Sequence, residues 1–379
     1  MARINKILFV INSLSYGGAE RALSRLLFEL EKISSDDEYH IILLEGNDIA
    51  YKIPKSCNVR IVSQKKSLYK SILFVKKYIK DNGISVVLSF LHFSSLVCSI
   101  VSFFYKDKCK FIAVHCDSIS SKYSQGISGA LMRTICTLSY SFFDLLVFKS
   151  EAMMLDFNKK YNLSNINCKV IYNSYNYNEI ITLSNVKPND FKSWYAADKF
   201  NILSVGRLHK QKRVIDLIKA VELIDKDINL IIVGDGPERN YLESYVKKSK
   251  ITENVQFLGM RDDVFGIMKI CHLYILCSEV EGFPNTLIEA LICGLPVISS
   301  DCLSGPREIL DENDVLPKVG LKNVEYLKYG TIYPVGNIDL LVNGIENAIE
   351  NIVNNEVEIS KDYSIDKVSL QYIELWCEE

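Results

Sequence analysis

Short runs of apolar residues alternate along this chain with longer stretches in which apolar positions recur every three or four residues. The short runs read as strands at Lys6–Asn12, Tyr39–Leu44, Ser85–Phe90, Lys110–Val114, Leu145–Phe148 and Lys169–Tyr172. A second series follows at Asn201–Val205, Leu230–Val233, Val255–Leu258, Leu273–Cys277, Pro296–Ser299 and Thr331–Tyr333. The stretches between them carry helical spacing, as in Leu23, Leu26, Leu27 and Leu30. Strand–helix alternation of this kind predicts parallel sheets covered on both faces by helices. The expected fold is α/β, with two Rossmann-like doubly wound domains facing each other across a cleft. The boundaries read as 1–180 for the N-terminal domain and 200–362 for the C-terminal one. The polar stretch 181–199, broken by Pro188 and Asn189, reads as a linker. Residues 363–379 read as a C-terminal helix expected to pack back on the N-terminal domain.

Ile84–Phe104 is uncharged over 21 residues, about the length that crosses a bilayer. It contains six serines and His92, begins after Gly83, and is β-branched in its first part. Strand followed by buried helix is the better reading. The start of the chain has no small-residue cleavage site and reads as a first strand rather than a signal peptide.

With 379 residues, 48% hydrophobic and 24% charged, the chain is globular and long enough for two cores. Its 11 cysteines include no CxxC pair and no zinc-ligand spacing with histidine, so they read as reduced thiols of a cytoplasmic protein. The net charge of −2 conceals an asymmetry. Residues 1–190 hold 24 Lys and Arg against 16 Asp and Glu, and the remainder 20 against 30. The basic half shows no nucleic-acid-binding module, so nucleic acid is not an expected partner.

Three motifs follow strand ends, where open parallel sheets bind ligands. Glu281-Gly-Phe283-Pro284-Asn285-Thr286-Leu287-Ile-Glu289 places two glutamates eight apart around a turn that opens a helix. The backbone N–H groups of Asn285, Thr286 and Leu287 at that helix start suit a phosphate. Glu281 suits sugar hydroxyls and Glu289 a ribose diol, against the plain alternative of one solvated acid and one favoured by the helix dipole in the first turn. Gly206-Arg207-Leu-His-Lys-Gln-Lys212 sets two cations five apart beyond a strand, a spacing suited to a diphosphate. Gly234-Asp-Gly-Pro-Glu allows a close backbone approach to a base or ribose.

Taken in order, Gly-Arg-Leu-x-x-x-Lys, Gly-Asp-Gly-Pro-Glu, Glu-x7-Glu and an early Gly17-Gly18-Ala-Glu loop resemble glycosyltransferase family 4, retaining enzymes of the GT-B fold. The resemblance covers most of the chain and is weakest from about 45 to 110 and after 340. It implies that Arg207 and Lys212 hold the donor diphosphate, that Glu281 contacts the transferred sugar and Glu289 the ribose. It further implies that Gly17 and Gly18 lie near the phosphate, that Gly234 and the backbone around Met260 and Arg261 line the base, and that His115 sits beside the reaction centre. Gln211 departs from the family pattern, where an acid is frequent. Ser299–Leu310 looks like the corresponding segment of bacterial enzymes adding α-linked galactose, N-acetylgalactosamine or glucose to undecaprenyl-diphosphate glycans.

The expected function is therefore transfer of a hexosyl or N-acetylhexosaminyl unit from a UDP-sugar to a lipid-linked glycan, without a metal or other cofactor. A sugar-nucleotide epimerase and a non-catalytic nucleotide-sugar-binding subunit are the rival readings. The stretch from Lys65 to Lys80 carries six lysines and no acid, with Leu68, Ile72, Val75 and Ile79 at helical spacing. Lys66, Lys70, Lys76 and Lys77 are expected to meet an anionic membrane surface or the acceptor diphosphate, placing the protein peripherally on the inner face of the plasma membrane.

Overall fold

The computed structural model describes residues 5–377 apart from 16, 47–48, 64–66, 106, 117–137, 162–165, 312–313, 319–320 and 352–362. The chain divides into two compact units, Met1–Tyr175 with Asp362–Glu379, and Asn176–Lys361.

The first unit holds a seven-stranded parallel sheet in the order β3-β2-β1-β4-β5-β6-β7. Its strands are β1 (Lys6–Ile11), β2 (Glu38–Leu43), β3 (Asn58–Ile61), β4 (Val86–Phe90), β5 (Lys110–His115), β6 (Leu145–Phe148) and β7 (Asn167–Val170). Alternate side chains of β1 enter opposite layers, as strand geometry requires. Ile7, Phe9 and Ile11 pack with Leu23, Leu26, Leu27 and Leu30 of helix α1 (Gly18–Ile33). Leu8 and Val10 pack with Val75 and Ile79 of α2 (Leu68–Asn82) and with Val97 and Val101 of α3 (His92–Ser102). Both faces are thus covered, which is why β1 is continuously apolar. Ile84–Phe104 is β4 plus α3, and no helix among the described residues is long and apolar enough to cross a membrane. After β6 comes α4 (Glu151–Tyr161).

The second unit repeats the plan in the order β10-β9-β8-β11-β12-β14-β13. It comprises β8 (Phe200–Val205), β9 (Ile228–Val233), β10 (Val255–Gly259), β11 (Leu273–Leu276), β12 (Val297–Ser300), β13 (Glu325–Leu327) and β14 (Gly330–Tyr333). Among the described strands only β13 runs antiparallel, against β14. Its helices are α5 (Tyr177–Ser184), α6 (Val214–Leu223), α7 (Arg239–Val246), α8 (Val264–Ile270), α9 (Asn285–Ile292), α10 (Pro306–Leu310) and α11 (Ile338–Asn351). The final helix, α12 (Ile365–Cys377), belongs to the first unit and packs on α1. Its Tyr372 hydroxyl accepts a hydrogen bond from Lys149 at 2.6 Å, and Trp376 donates to Asp37 at 3.1 Å.

Three expectations are corrected here. The stretch 181–199 is no free linker. It includes the end of α5, and its Asp190 carboxylate grips the Arg261 guanidinium through bonds of 2.6 and 2.7 Å. Trp194 is buried, and its carbonyl accepts from Asn229 at 2.9 Å. Polar composition hid this packing because the segment is held largely by polar contacts. Strands β3 and β13 were not expected, since edge positions are largely exposed and lack an apolar run. In α2 the buried stripe is Ser71, Val75 and Ile79, while Leu68 is exposed at the helix start.

Candidate functional site

In each sheet the strand order reverses beside the first strand of the unit, between β1 and β4 and between β8 and β11. Such a switch leaves a crevice at the carboxyl ends of the strands, because neighbouring connections depart in opposite directions. In the second unit the chain leaving β8 is Gly206–Lys212, and the chain leaving β11 carries Ser278 and Glu281. Lys212 ends a short 3-10 turn, Lys210–Lys212. Its Nζ donates to Glu281 Oε1 at 2.5 Å, and Ser278 donates to the same oxygen at 2.5 Å. The ammonium and carboxylate are both mostly shielded, with side-chain exposures of 25% and 10%.

Gln211 laces the two loops together. Its side-chain amide donates to the Val280 carbonyl at 2.7 Å, and its backbone carbonyl accepts from the Glu279 N–H at 2.8 Å. Where the family pattern favours an acid, this chain therefore uses an amide to fix the loop rather than an ion pair. Ser304 holds the far side, donating to the Glu281 carbonyl at 2.5 Å. Gly305 lies so close to Pro284 that a Cβ would overlap its ring. Arg207 is exposed and makes no side-chain hydrogen bond or ion pair among the described residues. Lys212 and Arg207 thus stand on one turn, one paired and one open to a ligand.

Gly234 follows β9 with φ +129, and a Cβ there would collide with the Gly206 carbonyl. Only glycine lets the ends of β8 and β9 close on each other so tightly.

The helix-start cradle is smaller than the sequence implies. Leu287 N–H donates to the Pro284 carbonyl at 3.1 Å, so it is not available to a phosphate. The Thr286 hydroxyl meets Tyr274 Oη at 2.7 Å, and Phe283 is buried. Glu289 is fully buried beneath this turn, so it presents no surface to a ribose in this structure. Met260 is exposed beside the β10 end, while the Arg261 side chain is clamped by Asp190 and Asp263, an arrangement that fixes the backbone there and leaves it open. The Arg261 guanidinium holds the Asp190 carboxyl down to about 2.

In the first unit, Gly17 and Gly18 begin α1 just beyond β1. His115 ends β5, but its ring does not open to the crevice. It stacks on Phe148 at 4.9 Å and meets Tyr140 at 4.6 Å and Phe157 at 5.5 Å. Burial, and secondarily His92, push its pKa down to about 3, so the imidazole is neutral. Strand alternation explains the correction: His115 shares its face with Phe111 and Ala113, which point into the core. The next residue, Cys116, lines a small pocket together with Phe90, Asn173 and Lys149. Lys149 is buried there with the Tyr372 hydroxyl as partner, and burial lowers its pKa to about 8. Nothing in the sequence singled Lys149 out, since a lysine after a strand is ordinarily solvated.

Lys70, Lys76 and Lys77 lie on the outer side of α2, and Lys66 falls outside the described residues. Among the described residues no group of three or more His, Cys, Asp or Glu is placed to hold a metal.

Residues 186–362 match the family model "Glycosyl transferases group 1". They are a group 1 glycosyl transferase domain. The chain is 27% identical over 359 residues to the N-acetylgalactosamine-N,N'-diacetylbacillosaminyl-diphospho-undecaprenol 4-alpha-N-acetylgalactosaminyltransferase of Campylobacter jejuni, covering 92% of this chain and 91% of that one. A second C. jejuni protein, a GalNAc-alpha-(1->4)-GalNAc-alpha-(1->3)-diNAcBac-PP-undecaprenol alpha-1,4-N-acetyl-D-galactosaminyltransferase, is 26% identical with 98% of each chain covered. Among solved structures, HepE from Anabaena in complex with UDP has a TM-score of 0.77 at 22% identity, covering 99% of this chain and all of that one. The chain has the GT-B fold, as its resemblance to family 4 implied.

Proposed function

We propose that this glycosyltransferase moves a hexosyl or N-acetylhexosaminyl unit from a UDP-sugar to an undecaprenyl-diphosphate-linked glycan, with retention at the anomeric carbon, at the inner face of a membrane. The observation that carries the reading is the joined turn of Arg207, Lys212 and Glu281 at the switch of the second sheet. A departing nucleotide diphosphate gains negative charge as the sugar leaves. Cations fixed beside that charge stabilise the transition state more than the ground state. Arg207 supplies a planar fork for two phosphate oxygens. Lys212 supplies a point charge that Glu281 holds in place until the donor arrives. With the donor bound, Lys212 turns to the phosphate and the freed Glu281 carboxylate accepts from sugar hydroxyls.

The donor class is supported by the UDP held by HepE, and the acceptor class by the substrates in the names of the two C. jejuni relatives. Charge neutralisation by Arg207 and Lys212 asks for no divalent cation, so transfer is expected to continue in EDTA. The test is UDP release from a panel of UDP-sugars with and without an undecaprenyl-diphosphate glycan. Release that depends on both supports the reading. Conversion of a UDP-sugar to its epimer without acceptor would replace it with the epimerase alternative.

A further inference from the structure

The outer side of α2 and the end of α3 share one surface of the first unit, and it is unusual in two ways. Phe103 and Phe104, just past α3, are 70% and 52% exposed, and Tyr69 and Leu73 of α2 are exposed as well. Phe103 packs edge-on against Phe104 at 5.8 Å and against the exposed Phe142 at 6.3 Å. Lone exposed apolar side chains are ordinary, but a cluster of aromatic rings held together in water marks a contact surface.

The second feature is charge. Lys76 Nζ lies 3.5 Å from the centre of the Phe104 ring, joining the aromatic cluster to the lysine row of α2. Among the described residues, Lys70, Lys76, Lys77 and Lys80 form no salt bridge. The acids near the patch are Asp81 at the end of α2, Asp107 in the following turn, and Asp144, whose carboxylate is taken up by the Phe111 N–H at 2.7 Å. The Tyr105 hydroxyl donates to the Lys76 carbonyl at 2.8 Å and fixes the ring-bearing turn to α2.

We propose that Phe103, Phe104 and Phe142 form a wedge that enters the headgroup region of an anionic bilayer, with Lys70, Lys76, Lys77 and Lys80 neutralising the lipid charge around it. The inference deepens the reading of a lipid-linked acceptor and rests on it for its biological sense. The chemistry fits one occupant. An anionic bilayer presents negative charge at its surface and an apolar layer just beneath, at a depth that rings on a short turn can reach while the lysine ammoniums stay in the headgroups. An acidic protein partner would meet the lysines but leave the rings without a matching layer. Docking is thus partly electrostatic and partly apolar, and the lysines alone do not account for it.

The test is flotation of the full-length protein with vesicles of phosphatidylcholine alone, or of phosphatidylcholine with phosphatidylglycerol, in the absence of donor and acceptor. The wild type should float only with phosphatidylglycerol present, and a fraction should remain bound in high salt. Lys76→Glu with Lys77→Glu should lower partitioning more than twentyfold, since each lysine near a charged leaflet contributes about fivefold. Phe103→Ser with Phe104→Ser should lower it roughly tenfold or more and abolish the salt-resistant fraction, while transfer to a water-soluble acceptor is unchanged. Phe103→Trp, which keeps the apolar bulk, should show fluorescence quenched by brominated lipid. The proposal fails if the double serine variant floats like the wild type, if the new tryptophan is not quenched, or if the patch instead drives self-association of the free protein. A protein that transfers sugar but does not float sinks this inference alone. One that floats but transfers nothing sinks the transferase reading alone.

Discussion

Lys212 and Glu281 are 69 positions apart, yet their charged atoms meet at 2.5 Å at the point where the second sheet reverses its strand order. The pair is built by two loops that Gln211 and Ser304 tie down, so its geometry does not depend on the two side chains alone. That arrangement separates function from stability. A partly shielded pair of this kind adds about 0–1 kcal/mol to folding, whereas a cation aimed at a developing charge is worth a hundredfold to a thousandfold in rate. Lys212→Ala should therefore lower kcat/KM by about 10²–10³ with little change in Tm, and Arg207→Ala should do likewise. Steady-state kinetics beside thermal melts decide it. Wild-type rates in both variants would remove the turn from the mechanism.

Gly234→Ala should behave differently, lowering stability and activity together. The residue holds φ +129, which costs a residue with a Cβ about 1–3 kcal/mol, and the new methyl group also meets the Gly206 carbonyl. A variant that melted like the wild type would show that the β8 and β9 ends are less tightly closed than described.

Much of this was legible in the sequence because buried parallel strands must be continuously apolar. β6 matches its expected range, and most other core strands fall within one or two residues of theirs. Gly305 and Pro306 open α10 as their chemistry dictates, Gly305 as the N-cap and Pro306 as the first helical residue. The edge strands β3 and β13 were not legible, since exposure leaves them no apolar signature. The site motifs were readable as motifs, but their contacts were not. That Leu287 spends its N–H on Pro284, that Glu289 is buried, and that Lys212 meets Glu281 are facts of loop packing, which spacing along a chain does not encode. His115 shows the same limit. Its place after an apolar run was right, but which face it takes depended on where β5 ends.

Arg307 lies in the short helix α10, and nothing in the sequence around it signals burial. It is 1% exposed, with Asp301 at 2.6 and 3.0 Å and Glu325 at 2.8 Å. Removing one member of a buried ion cluster leaves the others uncompensated. Arg307→Ala should cost about 3–5 kcal/mol in chemical denaturation, and adding Asp301→Asn should recover part of it. No recovery in the double variant would mean that packing, not charge, dominates the loss.

His115 gives a pH signature. Its folded pKa of about 3 lies below the ordinary value of about 6.5 for an unfolded chain. Between those values the unfolded state binds a proton that the folded state refuses, so stability falls as pH drops from about 6.5 toward 3. The slope from this residue is about 1.4 kcal/mol per pH unit. His115→Phe should flatten that acid limb in denaturation series, leaving stability at neutral pH less affected. An unchanged limb accompanied by a large fall in kcat would return His115 to the reaction centre.

Retaining transfer from a UDP-sugar is written in the anomeric configuration of the product. The enzyme would be supplied with an α-linked UDP-hexose or UDP-N-acetylhexosamine and an undecaprenyl-diphosphate glycan, and the new linkage read by proton NMR from its anomeric coupling. Retention gives an α-glycoside formed together with UDP. A β-glycoside, or an epimerised UDP-sugar with no glycoside at all, would contradict it.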